Sequence, residues 1–156
     1  MIDCVSIATS HHFTGNPLRE QHRLRYAEVV LKEEWSNVEV IGDMERDRYD
    51  TDATEYFVSR NQTGKVLGVI RSNPTMLPYM LEERFESLVR GSLPKDPHIF
   101  EASRIVVDCT TLKTPRQRKP VVNELLVALM ERGLQRKLTA YIGFMIPGIW
   151  DSTFRR

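Results

Sequence analysis

Along the chain, apolar and polar positions sort into segments of two periods. From Ile2 to Ala8 they alternate weakly, as in a first strand, and His11 to Pro17 reads as a loop broken by Gly15, Asn16 and Pro17. Between Leu18 and Trp35 the residues His22, Tyr26, Val29, Val30 and Glu33 fall at three- and four-residue spacing, which predicts a helix with Arg25 on its flank. Ser36 to Asp52 is polar, with Gly42 as a breaker and E-R-D-R-Y-D from Glu45 to Asp50. On spacing alone that stretch reads as a mobile surface loop. Its functional reading is an ordered loop that lays Asp47 and Asp50 against arginines elsewhere and recognises a cationic ligand.

Glu55 to Arg60 and Val66 to Ser72 are β-rich and joined by Asn61-Gln62-Thr63-Gly64, a hairpin pattern. Pro74 and Pro78 precede a helix expected over Tyr79 to Arg90, with Met80, Phe85 and Leu88 among its apolar positions. Gly91 to Pro97 is a loop, and Phe100 to Asp108, F-E-A-S-R-I-V-V-D, is a strand. Asp108 to Pro120 is polar and basic. A helix from about Val121 to Lys137 follows, with Val122, Leu125, Leu126, Leu129 and Met130 as its core stripe. A strand over Thr139 to Ile146 and a start of helix over Ile149 to Arg156 complete the order. Helices alternating with strands imply an α/β (α+β) class, a mixed sheet with helices packed on it.

Composition narrows the classes of partner. The 156 residues suit one domain, and 41% hydrophobic with 28% charged residues describes an ordinary globular protein. A net charge of +1 advertises no nucleic acid. Cys4 and Cys109 form no CxxC pattern and suit a reducing cytoplasm, and the four histidines are not spaced as metal ligands. No apolar run reaches the ~18 residues of a membrane span, and Asp3 stands where a signal peptide is basic. The expected location is cytoplasmic.

Candidate chemistry concentrates at the strand from Phe100. Glu101, Ser103 and Arg104 lead into the apolar run Ile105-Val106-Val107, and a buried charge must be paired or must face a cavity. The strand is therefore an ion-pair site or the floor of an active site. Alternation puts Glu101 with Ser103 on one face and Arg104 with Ala102 on the other unless a bulge intervenes, so the two charges are expected to serve different surroundings. Arg71 likewise places a guanidinium at the end of an apolar strand. A second charged group is basic: Lys113, Arg116, Arg118 and Lys119 in one stretch, Arg132, Arg136 and Lys137 in another.

Arg25, Trp35, the E-x-D-x-x-D run of Glu45, Asp47 and Asp50, Arg71, and the pair Glu101 and Arg104 resemble, in order and spacing, the signature of the acyl-homoserine lactone synthases, or autoinducer synthases. The resemblance implies a GNAT-like three-layer sandwich, with a mixed, mostly antiparallel sheet, helices on both faces, and an acyl thioester held where two strands splay apart. It implies a Gram-negative bacterial enzyme of quorum sensing. The substrate S-adenosylmethionine would be acylated from acyl carrier protein or acyl-CoA and then lactonised, releasing methylthioadenosine, with no further cofactor and no metal. Glu101 is expected to be the general base, since the amino group must lose a proton before attacking a thioester. Arg25, Trp35, Asp47, Asp50, Arg71, Ser103, Arg104 and Phe144 are expected to form the substrate site. In that site, acids and arginines complement a zwitterionic sulfonium ligand, and Trp35 offers an aromatic face. The basic residues Arg116, Arg118, Lys119, Arg132, Arg136 and Lys137 would attract an acidic carrier protein or meet the phosphates of coenzyme A.

Three features depart from this resemblance. Val29 stands where the family commonly has Phe, reshaping one wall of the site. Phe144 lies near a position where synthases of 3-oxo-acyl products often carry Thr, which points to an unsubstituted, branched or aryl acyl chain. The family continues well past the equivalent of Arg156, so the single domain over residues 1–156 is expected to lack the family's C-terminal portion. The competing readings are a general GNAT N-acyltransferase using acyl-CoA and a non-catalytic fragment that binds an acidic carrier. The first usually shows a Gly-rich pyrophosphate loop before its long helix, and Thr111 to Pro120 contains no glycine.

Overall fold

The computed structural model describes residues 1–6, 9–31 and 38–145. Its frame is a five-stranded sheet in the order β1-β4-β5-β6-β7, comprising β1 (Ile2–Val5), β4 (Glu55–Arg60), β5 (Val66–Pro74), β6 (Ile99–Val107) and β7 (Ala140–Ile142). Neighbours from β1 to β6 run antiparallel, and β7 pairs parallel to β6. The expected hairpin is β4–β5, with Asn61 closing its turn by accepting from Thr63, Lys65 and Gly64.

Alternation along β4 divides the core in two. Tyr56 and Val58 face one way and pack with Val5, Leu24, Val29, Val66, Val69 and Val106 beneath helix α1 (Pro17–Arg25). Phe57 faces the other way, with Ile70, Val121, Leu125 and Leu129 beneath helix α3 (Pro115–Gln135). Helices on opposite faces of a mixed sheet make the three-layer arrangement that the family resemblance implied. Val29 lies in the first of these apolar clusters.

Helix boundaries moved for identifiable reasons. Helix α1 begins at Pro17, its first turn capped by Asn16 accepting from Arg19 N at 2.9 Å, and from Tyr26 to Val30 it widens into a π-turn that ends with Leu31 N on Tyr26 O. The remainder of the expected helix, with Trp35, lies outside the described residues, as does the segment from Ile149. Helix α3 starts six residues before the expected Val121, because Thr114 and Gln117 form a capping box and Pro115 occupies the first helical position. Met130, expected in its core stripe, is 54% exposed. The helix expected over Tyr79 to Arg90 is α2 (Met80–Arg84) followed by a 3₁₀ turn at Glu86–Leu88. Phe85, with φ −134° and ψ 21° outside the helical region, breaks it and sets its ring on Phe144, 4.1 Å between centroids.

The loop from Ser36 to Asp52 is not the mobile surface segment that spacing favoured. Within its described part, β2 (Val40–Ile41) and β3 (Met44–Glu45) pair around Gly42, which has φ 63°, and Asp47 to Thr54 is closed by backbone and side-chain hydrogen bonds. Strand β7 covers only part of the expected Thr139 to Ile146. Its pairing with β6 ends at Glu101↔Ile142, while β6 continues alongside β5 to Val107. Just past that point Gly143 lies against β6, and a Cβ on it would meet the Ala102 carbonyl oxygen at 2.6 Å. Gly143→Ala should therefore force the two backbones apart and lower unfolding free energy by roughly 1–3 kcal/mol in urea titration. Unchanged stability would mean that the approach is not constrained.

Candidate active site

The decisive local feature is a bulge in β6. Between Val69↔Val106 and Arg71↔Ser103, β5 advances two residues and β6 three. The extra residue adopts φ 53° at Arg104, a left-handed conformation that costs a non-glycine residue on the order of 1–2 kcal/mol. Ser103 and Arg104 consequently share a face with Glu101 and Val106, while Ala102, Ile105 and Val107 pack on the α3 side. The expectation that Glu101 and Arg104 serve different surroundings is thus corrected: the exception allowed for a bulge is the case that occurs.

Around that face three guanidinium groups meet three carboxylates. Arg25 donates from Nε to Glu45 and from both terminal nitrogens to Asp50, at 2.8 and 2.9 Å. Arg71 reaches Asp47 at 2.5 Å and Asp50 at 3.0 Å through Nη1, and Ser103 Oγ at 3.1 Å through Nε. Arg104 bridges Glu45 and Asp47 through Nη2, at 2.8 and 2.9 Å. Tyr56 donates its hydroxyl to Asp50 at 2.8 Å, and the His22 ring bonds the Glu45 carbonyl through Nδ1 at 2.9 Å. Side chains of Arg25, Arg71, Glu45 and Asp50 have no solvent exposure. The Arg25 and Arg71 guanidiniums hold the Asp50 carboxyl far below the usual carboxylate range, overcoming the opposing effect of burial. Burial, with Arg25 nearby, lowers the pKa of His22.

Glu101 is set apart from this network. It is fully buried, and it accepts from the backbone N–H of Leu81 at 2.6 Å and of Met80 at 3.3 Å. Burial raises its pKa, an effect moderated by those two N–H groups and by Arg71. A carboxyl poised upward in this way is suited to accept a proton.

The structure gathers Arg25, Asp47, Asp50, Arg71, Ser103, Arg104 and Glu101 on one side of the sheet. All three donor positions of Arg25 are engaged, and Asp50 receives five donors, so these two side chains fasten the network from within. The expected basic surface also divides. Arg116, Arg118 and Lys119 begin α3, while Arg132, Arg136 and Lys137 lie at its other end, about 25 Å away along a helix axis. Arg132 and Arg136 are both engaged by Glu55, at 2.6 and 2.8 Å. Sequence reasoning did not assign Tyr56, His22 or the Met80 and Leu81 amides, because an inward hydroxyl, a helix-borne imidazole and main-chain donors leave no pattern along the chain. Among the described residues, no cluster of His, Cys, Asp and Glu could hold a metal ion, and no helix is long and apolar enough to cross a membrane.

Residues 10–146 match the sequence profile described as autoinducer synthase. The chain belongs to the autoinducer synthase family. Among its relatives, the acyl-homoserine-lactone synthase of Aliivibrio fischeri is 32% identical over 120 residues, covering 76% of this chain and 62% of the relative. That of Ralstonia solanacearum is 33% identical over 106 residues, 65% of this chain and 52% of the relative. The structure of the CoA-dependent acyl-homoserine lactone synthase BjaI with SAM and isopentyl-CoA superposes with a TM-score of 0.79 at 28% identity, over 96% of this chain and 68% of that one. The GNAT-like fold is that of the family's solved members, and this chain spans between half and two thirds of the length of these two curated synthases.

For this family member the charge network has a measurable weight. Arg25→Ala leaves Glu45 and Asp50 buried without their fork, and at neutral pH it should cost about 3–5 kcal/mol in urea unfolding. Because the folded-state pKa of Asp50 is depressed, its stabilisation is present above the unfolded value of about 4 and is lost as pH falls toward the folded value. The deficit of the variant should therefore narrow below about pH 4. A pH-independent difference would show that the ion pair is not its source.

Proposed function

We propose that this chain catalyses acyl-homoserine lactone synthesis. The amino group of S-adenosylmethionine attacks an acyl thioester, the thiol carrier leaves, and the substrate carboxylate then displaces methylthioadenosine to close the lactone. The observation that carries this reading is the electrostatic balance around Glu101. Arg25, Arg71 and Arg104 offset Glu45, Asp47 and Asp50, so an ionised Glu101 adds one negative charge to an otherwise neutral cluster. S-adenosylmethionine with its ammonium protonated carries one net positive charge, and its transferable proton lies on the nitrogen that must react.

Glu101 is the proposed general base, acting directly or through a water molecule, and it returns the proton to the departing thiolate. The sulfonium is already a good leaving group, so lactonisation requires chiefly that the carboxylate be positioned. Asp47 and Arg104, at 11% and 6% side-chain exposure, are the members of the network proposed to face the substrate. Such a reaction draws on intracellular metabolites, which supports a cytoplasmic location. Relatives in the family include a CoA-dependent enzyme.

The acyl donor, a CoA or carrier-protein thioester, is proposed to bring its phosphate to the start of α3. Arg116, Arg118 and Lys119 stand there with no acid in the first turn, a placement the helix dipole disfavours until an anion arrives. Phe144, with its ring on Phe85, supplies an apolar wall without a hydrogen-bond donor for a 3-oxo group. The product is thus proposed to be an unsubstituted, branched or aryl acyl-homoserine lactone. Mass spectrometry of lactones from expressing cells should find such a species, and a dominant 3-oxo product would exclude it. Methylthioadenosine release should be measured with CoA and carrier-protein donors at several salt concentrations. Glu101→Gln should lower kcat on the order of 10²–10⁴-fold while S-adenosylmethionine binding persists. Unchanged turnover in that variant removes the assigned base.

A further inference from the structure

Asn73 stands directly across from Glu101 in the pairing of β5 with β6, on the same face of the sheet. It is 3% exposed, and among the described residues neither Nδ2 nor Oδ1 has a hydrogen-bond partner. Two residues earlier on β5, and therefore on the same face, Arg71 has no hydrogen-bond partner at Nη2 among the described residues, although the Tyr49 ring lies 5.9 Å from its guanidinium carbon. Burying an amide and one arm of a guanidinium unpaired is unfavourable, and an apolar residue would fill position 73 without that cost. The unpaired amide of Asn73 and the unpaired Nη2 of Arg71 lie on one face of β5, beside the Glu101 carboxyl.

Their chemistry is that of a receptor for an α-amino acid head. A guanidinium N–H and a carboxamide N–H can both donate to a carboxylate. A carboxamide oxygen and the Glu101 carboxylate can both accept from an ammonium. We propose that Asn73 reads the amino-acid head of S-adenosylmethionine. Its Nδ2 joins Arg71 Nη2 on the carboxylate, and its Oδ1 holds the amino nitrogen against Glu101. The inference rests on the proposed synthase activity and adds the residue that orients the nucleophile.

Methylthioadenosine carries the same adenosine and sulfur but no amino-acid head, so it separates this role from a structural one. Calorimetric titration of wild type and Asn73→Leu with each ligand is the test. In the variant, S-adenosylmethionine should bind on the order of tenfold to hundredfold more weakly, methylthioadenosine should bind within about twofold of wild type, and the melting temperature should not fall. Asn73→Gln should recover part of the lost affinity. Equal binding of S-adenosylmethionine to wild type and variant would overturn the proposal and leave the synthase reading intact. Parallel loss of both ligands, or a lowered melting temperature without selective loss, would assign Asn73 a structural role. Wild type that bound neither ligand would refute the synthase reading and this inference together.

Discussion

Removing six charged side chains from water is affordable only if each finds a counter-charge with its hydrogen bonds directed. Desolvation amounts to several kcal/mol per ion, and mutual attraction in the low-dielectric interior must recover it. The fork of Arg25 on Asp50, the Tyr56 hydroxyl and the main-chain N–H of Asp47 supply that directionality. The members come from α1, β3 and the loop after it, β5 and β6, so the cluster forms only when both the sheet and the helix above it are in place. It therefore works as a clasp between elements far apart in sequence, with a geometry that tolerates little drift.

The bulge in β6 makes this clasp compatible with a strand. A regular strand would send Arg104 to the α3 side, against Ile70 and Leu125, where no carboxylate of the network awaits it. With one extra residue at φ 53°, the guanidinium instead reaches Glu45 and Asp47. The strain is offset by ion pairs that could not otherwise form, and such strain is characteristic of functional strands. It also leaves Glu101 on the same side, close enough for Arg71 and Asp47 to influence its ionisation while remaining outside their hydrogen-bond network.

Much of this was legible in the chain, for reasons that can be named. The β4–β5 hairpin showed in its alternation and its turn residues. Glu101, Ser103 and Arg104 stood out because charge at the start of an apolar strand demands an explanation. The bulge did not show, since the unbroken run Ile105-Val106-Val107 hides the change of parity between Ser103 and Arg104. The order of the acidic loop was hidden as well, because it comes from arginines on other elements rather than from local propensity. The start of α3 is written in Thr114-Pro115-x-Gln117, but Pro120 and the basic residues around it mask the helical pattern that follows. Asn73 left no signal, since an asparagine in a strand is ordinary until its partners are counted.

A carboxyl proposed as a general base faces opposing demands: it must be ionised to accept a proton, and it must not be so stabilised as an anion that it declines one. Placing Glu101 inside the clasp would have met only the first, as the depressed pKa of Asp50 illustrates. Full exposure would have left it near its ordinary value. Its actual position draws two main-chain hydrogen bonds from the start of α2, enough to limit the penalty of burial without cancelling it. Since its pKa is raised, the stability associated with its protonated form is greatest below the unfolded value and declines as pH climbs through the folded value. The fold thus gives up some stability at neutral pH to hold that carboxyl with a raised proton affinity, while the neighbouring balance of three arginines against three acids fastens the elements around it.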